Sequence, residues 1–317
     1  MKVLFVSSGH KGFINPIIKN QGESLIRAGV ELDYYMVKGR GWKSYVKNIK
    51  PLRKQIKEGG YDVIHAHYAF SAYLASIASR GLKVPMVVSL MGSDIWAHKY
   101  YPCIVRVWEK LARWNAVIVK SAEMRQRVSM PQAIVVPNGV NMDKYCPKPK
   151  VESQEILGWD TKKLHVLMAA NPEDPRKNGP LAIKAVDLLN ASAKYDIKFH
   201  GMVGVPNDQT PILYNAADVV VLPSLYEGSA NAVKEAMACN KPLVTTDMGD
   251  CRERMEGCKG CYVANTYEVP EFAELLAKAL KDKTSKGRDR LLKDGIADYQ
   301  IADRLIKIYK DVQLRKN

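Results

Sequence analysis

Glu227 and Glu235 flank the stretch Gly228-Ser229-Ala230-Asn231-Ala232-Val233-Lys234, which comes after the apolar run Val219-Val220-Val221-Leu222 and its stop at Pro223. The run reads as a buried parallel strand. The small, helix-favouring residues from Ala230 to Ala238, with Ser229 as N-cap, read as a helix packed on a sheet. A strand, a turn and a helix in that order leave the first-turn amides open, and with the helix dipole they make an anion site suited to a pyrophosphate. Glu227 sits in the turn beside that site, and Glu235 is expected about two turns into the helix, ~12 Å away at ~1.5 Å per residue. Carboxylates at the two ends of such a helix can each accept hydroxyl hydrogen bonds, one at either end of a diphosphate. A nucleotide sugar has that layout; the alternative is an ordinary exposed helix start with two solvated glutamates.

Further candidates lie at the ends of other expected strands. Asn171-Pro172-Glu173-Asp174-Pro175-Arg176-Lys177-Asn178-Gly179 follows Leu164 to Ala170, where α/β sheets place ligands. Lys177 could set a point charge on a phosphate, and Arg176 could grip two oxygens or face water. Gly201, opening Gly201-Met202-Val203-Gly204, either lets the backbone approach a base or ribose or makes a simple turn. Ser7-Ser8-Gly9-His10-Lys11-Gly12 has only part of the G-x-G-x-x-G spacing, so Gly9 and Gly12 mark a loop facing donor or acceptor, or a plain turn. Asp94 could contact an acceptor hydroxyl or cap the helix that follows it.

His65 and His67 share one strand face but have no acidic or Cys neighbour at close spacing. Packing, or hydrogen bonding to an acceptor, is expected there rather than a metal. Cys258-x-x-Cys261, with Cys251 nearby, lacks the second pair of a zinc ribbon. The six cysteines in a chain with no export signal are expected to be free thiols.

These residues must be carried by alternating strands and helices. Such a series runs from Val3 to Val136, stops around Cys146-Pro147-Lys148-Pro149-Lys150, and starts afresh at Leu164. Two doubly wound, Rossmann-like parallel-sheet domains are therefore expected, 1–147 and 148–298, with a substrate cleft at their facing carboxyl-end loops. Tyr299 to Val312 is expected to close the chain as an amphipathic helix. With 317 residues and 47% apolar content the chain can bury two cores. No apolar run approaches the ~20 residues that span a bilayer, and Met1 to Val6 is too soon interrupted for a signal peptide, so a cytoplasmic protein is expected.

The net charge of +15 suits nucleic acid, an anionic membrane or phosphorylated ligands. Neither a nucleic-acid-binding motif nor aromatics arrayed for base stacking accompany it, so no nucleic-acid partner is expected. Between Lys38 and Lys57 the run of Lys38, Arg40, Lys43, Lys47, Lys50, Arg53, Lys54 and Lys57 contains no acid. Trp42, Val46, Ile49 and Ile56 fall near one face, and Pro51 is expected to break or kink the run. Such a helix fits an anionic membrane surface or a lipid-phosphate acceptor, or packs on the sheet with a solvated basic face.

Leu222-Pro223-Ser224-Leu225-Tyr226-Glu227-Gly228-Ser229, Glu235-Ala236-Met237-Ala238-Cys239 and Lys241-Pro242-Leu243-Val244-Thr245-Thr246 together resemble the donor-binding signature of family-four retaining glycosyltransferases of GT-B architecture (glycosyl transferases group 1). The resemblance implies that Glu227 contacts the donor sugar and Glu235 the ribose. It implies Lys177 on the diphosphate; Asn171 stands at the usual Arg place, so either Arg176 compensates or the phosphate is held less strongly. In Leu90-Met91-Gly92-Ser93-Asp94, Met91 stands where the family usually has His, whose function a thioether cannot supply. Val136-Pro137-Asn138-Gly139 resembles the turn ending the first domain. In the family, the last helix, here 299–317, crosses back onto that domain, and no metal is needed.

The expectation is a metal-independent, retaining transfer of a sugar from a nucleoside-diphosphate sugar to a hydroxyl acceptor, a saccharide or lipid-linked compound. Bacterial cell-surface polysaccharide or glycolipid assembly at the inner face of the membrane is the family-level setting. A nucleotide-sugar epimerase and a non-catalytic nucleotide-sugar-binding protein are the rivals, and Asn171 and Met91 keep the second alive. A dehydrogenase ranks behind both, because the glycine fingerprint is incomplete.

Overall fold

The computed structural model describes residues 1–9, 12–39 and 41–315. The chain divides into two compact units, Met1–Gly139 with Asp298–Asn317, and Val140–Ala297. His10, Lys11 and Arg40, which belong to the expected glycine loop and basic run, lie outside the described residues.

Unit 1 holds a parallel sheet of β1 (Lys2–Ser8), β2 (Glu31–Val37), β3 (Val63–His67), β4 (Met86–Ser89), β5 (Ala116–Val119) and β6 (Ile134–Val135), in the order β2-β1-β3-β4-β5-β6. The apolar runs follow from burial on both faces. In β1, Leu4 and Val6 point to one core while Val3 and Phe5 point to the other, as a two-residue repeat requires. The helices α1 (Pro16–Arg27), α2 (Trp42–Gly59), α3 (Ala69–Ala78), α4 (Ser93–Trp96), α5 (Tyr101–Ala112) and α6 (Ala122–Val128) connect the strands. Leu52 and Ile56 of α2, Ala72 and Ala75 of α3, Val105 of α5 and Met124 of α6 cover the Leu4 face. Pro51 does not break α2, which runs unbroken through it. The proline is exposed, where water can serve the carbonyl its missing N–H leaves unpaired.

Unit 2 begins with α7 (Lys150–Leu157) and continues through β7 (Leu164–Met168), α8 (Gly179–Ala191), β8 (Ile197–Gly201), α9 (Thr210–Ala216), β9 (Val219–Leu222) and α10 (Asn231–Ala238). It ends with β10 (Leu243–Thr246), α11 (Cys251–Met255), β11 (Cys261–Ala264), α12 (Val269–Asp282) and α13 (Gly287–Lys293). Its parallel sheet has the order β11-β10-β9-β7-β8. The first unit ends at Gly139, earlier than the expected boundary after residue 147. Val140, Met142 and Tyr145 are buried in the core of unit 2, and Arg288 donates to the carbonyls of Met142 and Tyr145 at 2.9 Å each, so this stretch belongs to unit 2.

The closing helix α14 (Asp298–Leu314) belongs to unit 1. Its Ile301, Leu305 and Tyr309 pack with Ile18 and Leu25 of α1 over the Val3 and Phe5 face. Arg27 reaches Asp298 at 2.5 Å. The cysteines 103, 146, 239, 251, 258 and 261 are free thiols. Among the described residues no helix is long and apolar enough to cross a membrane, and no group of three His, Cys, Asp or Glu could hold a metal ion.

Candidate functional site

In unit 2 the strand order reverses between β7 and β9, which are paired neighbours. The carboxyl ends of such a pair are where open α/β sheets bind ligands. The loop after β7 is folded by its own side chains. Asn171 Oδ1 accepts from the Glu173 amide at 3.0 Å, and Asp174 Oδ1 accepts from the Arg176 amide at 3.0 Å to open the 3-10 turn Pro175–Lys177. A Cβ on Gly179 would stand 2.3 Å from the Pro172 carbonyl oxygen, so only glycine lets the loop close onto the start of α8. The loop is stitched to the turn after β9 by the Leu225 amide, which donates to the Arg176 carbonyl at 2.8 Å. This brings Lys177 Nζ into an ion pair with Glu227 Oε1, and Ser224 Oγ stands 3.5 Å from the same oxygen. Both charged side chains stay partly open to solvent, 24% and 22% exposed.

Ser229 is not the cap of the following helix. The N-cap of α10 is Ala230, with no side-chain hydrogen bond to the first turn, because the Ser229 hydroxyl is taken elsewhere. It donates to Asp250 Oδ2 at 2.9 Å and accepts from Lys234 Nζ at 3.1 Å. The helix beginning at Asn231 thus keeps its leading amides free of any side-chain cap. The buried chain of charges continues from Asp250 to Arg254 at 3.0 Å and from Arg254 to Asp294 at 3.2 Å. Burial pushes the Lys234 ammonium down to about 8, with Asp250 opposing the shift. Gly228 is buried beneath the next loop: Gly249, at φ +57°, lies so close that a Cβ on it would meet the Glu227 and Gly228 carbonyl oxygens at 2.9 Å. Thr246 Oγ1 donates to the Ser224 carbonyl at 2.5 Å. Neither Gly249 nor Asp250 stands out in the sequence, although Met248-Gly249-Asp250 after an expected strand carries a turn signal.

Because α10 starts at Asn231, Glu235 lies little more than one turn into it, not two. Its Oε2 accepts from the Tyr214 hydroxyl at 2.9 Å. Burial raises its carboxyl above the ordinary range, and the Tyr214 and Tyr145 hydroxyls pull against that shift. The structure therefore brings Lys177 and Glu227 together and sets Glu235 farther along the same helix. Arg176 is engaged by its own loop: its guanidinium is bidentate on Asp174, at 3.1 and 2.6 Å, and 55% exposed. Gly201 makes room for Pro172, whose Cγ a Cβ would meet at 2.4 Å.

The remaining expected positions belong to unit 1. Asp94 takes the structural role of the two expected for it, with its carboxylate on backbone amides. It is 1% exposed, and its carboxylate accepts from the amides of Ala69 at 3.0 Å, Met91 at 2.9 Å and Gly92 at 2.8 Å, holding the start of α3 and its own loop. Gly9 donates to the Val37 carbonyl at 3.1 Å and accepts from the Gly12 amide at 2.8 Å, and Gly12 has φ +81°. His65 is a core residue between Tyr309 at 2.6 Å and Ser89 at 2.8 Å. His67 stacks on it at 4.2 Å and is 1% exposed, with no hydrogen-bond partner for either ring nitrogen among the described residues.

Burial, and the nearby Lys120 cation, hold both imidazoles neutral with affinities for protons well below the usual range. The unfolded chain therefore binds more protons than the folded one at acid pH. Stability is whole above the ordinary histidine value of about 6.5 and declines below it, by up to about 1.4 kcal/mol per pH unit for each histidine. Urea denaturation at stepped pH checks this, and a flat stability between pH about 7 and about 5 would contradict it.

Residues 160–282 match the model of the family described as Glycosyl transferases group 1, and residues 19–144 that of Glycosyltransferase Family 4. The chain is 27% identical to the teichuronic acid biosynthesis glycosyltransferase candidate TuaC of Bacillus subtilis (strain 168), over 75% of this chain and 64% of that protein. It is 22% identical to the UDP-Gal:alpha-D-GlcNAc-diphosphoundecaprenol alpha-1,3-galactosyltransferase of Escherichia coli, over 86% of this chain and 81% of that protein. Its backbone is similar to that of sucrose-phosphate synthase from Thermosynechococcus elongatus (TM-score 0.80, 16% identity, 99% of this chain and all of that one). It is also similar to that of Anabaena Alr3699/HepE in complex with UDP (TM-score 0.75, 17% identity, 98% of this chain and all of that one).

Proposed function

As this chain belongs to the glycosyltransferases of group 1 and family 4, of GT-B type, we propose that it moves a sugar, with retention, from a nucleoside-diphosphate sugar to a hydroxyl acceptor. The observation that carries this reading is the Lys177–Glu227 pair, held at the strand-order reversal beside the uncapped start of α10. A cation and open helix amides there suit the diphosphate, because negative charge builds on it as the sugar departs. In this reading Glu227, in the turn, orients the sugar. Glu235, with one oxygen on Tyr214 and the residue partly exposed, accepts from a ribose hydroxyl.

In the transfer, the bond between the anomeric carbon and the phosphate oxygen breaks, and a bond from the acceptor oxygen to that carbon forms on the same face. The acceptor proton goes to the leaving phosphate, so neither a protein base nor a metal is assigned a step. The names of the relatives support an acceptor in bacterial surface polysaccharide or glycolipid assembly, saccharide or lipid-linked. The Alr3699/HepE complex favours UDP as the first donor to try.

The test is thermal stabilisation by UDP, GDP and their sugar conjugates, followed by NMR of the product's anomeric configuration. Ligand at a hundred times its dissociation constant should add ~2.7 kcal/mol. No stabilisation by any nucleoside diphosphate would remove the donor site, and inversion in the product would remove retention. Turnover of donor to an epimer without acceptor would favour the epimerase.

A further inference from the structure

The outer surface of the α2, α3 and α5 layer of unit 1 carries large apolar side chains in the open. Trp42 is 72% exposed, Val46 55%, Phe70 38% and Ile77 44%, and on α5 Ile104, Val107 and Leu111 are 39%, 55% and 75% exposed. Trp42, Val46, Ile49, Phe70, Tyr73 and Ile77 line a groove of about 140 Å³ between α2 and α3. The helices are tied side by side, with Phe70 edge-on to Tyr101 at 6.1 Å and Tyr73 stacked on Trp108 at 4.8 Å. The exposed apolar residues of α2 and α3 therefore line one continuous trough, and those of α5 lie on the next helix. This differs from the sequence expectation for α2, since Leu52 and Ile56 are its core residues while Trp42 and Val46 point out.

Beside the trough runs a stripe of charge. Lys43, Lys47, Lys50, Lys54 and Lys57 are all exposed, and their spacing of four and three in turn keeps them on one helix face. Trp42, Val46 and Ile49 each precede one of these lysines by a single residue, so the apolar stripe and the charged one are adjacent. Lys43 Nζ lies 5.9 Å from the centre of the Trp42 ring. Glu58 is the one acid of α2. Arg53 takes no part, because it donates to the carbonyls of Ala78 and Arg80 at 2.9 and 2.8 Å.

We propose that this face docks on a bilayer containing anionic lipid, with α2 lying in the interface plane. Trp42, Val46 and the α5 apolar residues enter the headgroup boundary while the lysine stripe meets lipid phosphates. Charge complementarity selects this occupant. Hydrated ammonium groups on flexible stems suit a diffuse anionic surface, and the trough beside them is lined by apolar side chains. An exposed apolar patch rimmed by charge marks an interaction surface in any case. The inference does not depend on the transfer reading: vesicle binding is measured without donor or acceptor, and donor binding without vesicles.

The experiment is flotation of the full chain with vesicles of equal parts phosphatidylglycerol and phosphatidylcholine, and with phosphatidylcholine alone. Binding is expected to the first and to weaken steeply with salt. Changing Lys43, Lys47, Lys50, Lys54 and Lys57 together to Gln should weaken it at least ~100-fold. Trp42→Ser with Val46→Ser should weaken it ~10-fold, and Leu111→Ser tests the α5 side separately. All these positions are exposed, so wild-type circular dichroism and melting are expected. No binding to the anionic vesicles, equal binding to both vesicles, or full binding by the lysine variant would each overturn the proposal. So would light scattering that shows a dimer dissociated by Trp42→Ser with Val46→Ser, which would give the face to a second copy.

Discussion

Lys177→Ala lowers the turnover number for sugar transfer ~10²–10³-fold, the loss typical of removing one group that stabilises charge in a transition state. The donor phosphate gains negative charge as the sugar leaves it, and Lys177 Nζ is the cation that the loop after β7 presents beside Glu227. Arg176 cannot take its place without giving up its bidentate bond to Asp174, so Arg176→Ala should cost far less. Folding should hardly change. The Lys177–Glu227 pair is about a quarter exposed, and screened pairs of this kind contribute at most ~1 kcal/mol. Initial rates at saturating donor and acceptor, read beside a melting curve, separate the two effects. An unchanged turnover number would place the phosphate elsewhere, and a large fall in melting temperature would make Lys177 structural.

Asp250→Ala is expected to destabilise the protein by ~3–5 kcal/mol, the usual effect of stripping one partner from a buried ion pair. Asp250 is 6% exposed and serves both Ser229, at 2.9 Å, and Arg254, at 3.0 Å. Without it, the buried Lys234 and Arg254 lose the carboxylate between them. Lys234 already binds its proton more weakly than an ordinary lysine, and Asp250 is the largest influence holding that proton on. The unfolded chain binds the more protons between about 8 and the ordinary lysine value, so stability rises with pH there. The variant should therefore recover part of its loss in mildly alkaline buffer. Urea unfolding of wild type, Asp250→Ala and Asp250→Asn checks this, with the asparagine intermediate because it keeps an acceptor for Ser229. A loss under ~1 kcal/mol would mean that water already compensates these charges.

The parallel strands were legible because burial on both faces leaves runs such as Val219-Val220-Val221-Leu222 that no helix surface would carry. Lys177 and Glu227 could be picked out because both follow such runs, and adjacent parallel strands bring their carboxyl-end loops together. The support around them was not legible. A lysine in the first turn of a helix, such as Lys234, reads as surface, and only the tertiary fold buries it against Ser229 and Asp250. Ser229 is a good cap by residue type, and a stronger competitor for its hydroxyl overrides that propensity. The helix α7 has no legible pattern because its polarity is inverted: Ser153 and Gln154 are buried, whereas Val151 and Ile156 are 51% and 62% exposed. Tyr214, bonded to Glu235, comes from a different helix with no shared spacing to betray it.

The way the chain passes from one unit to the other has a practical side. It leaves unit 1 after Gly139 and re-enters at Asp298, and these two residues are in contact, since a Cβ on Gly139 would lie 2.7 Å from Asp298 Cα. In unit 2 the first and last residues, Val140 and Ala297, are paired by a β-bridge. Unit 2 is thus a cassette spliced into the unit 1 chain with its two ends side by side. A gene that joins residue 139 to residue 298 through a short linker needs no long detour to close unit 1, and residues 140–297 form the matching excised module, which makes each half open to study and exchange on its own.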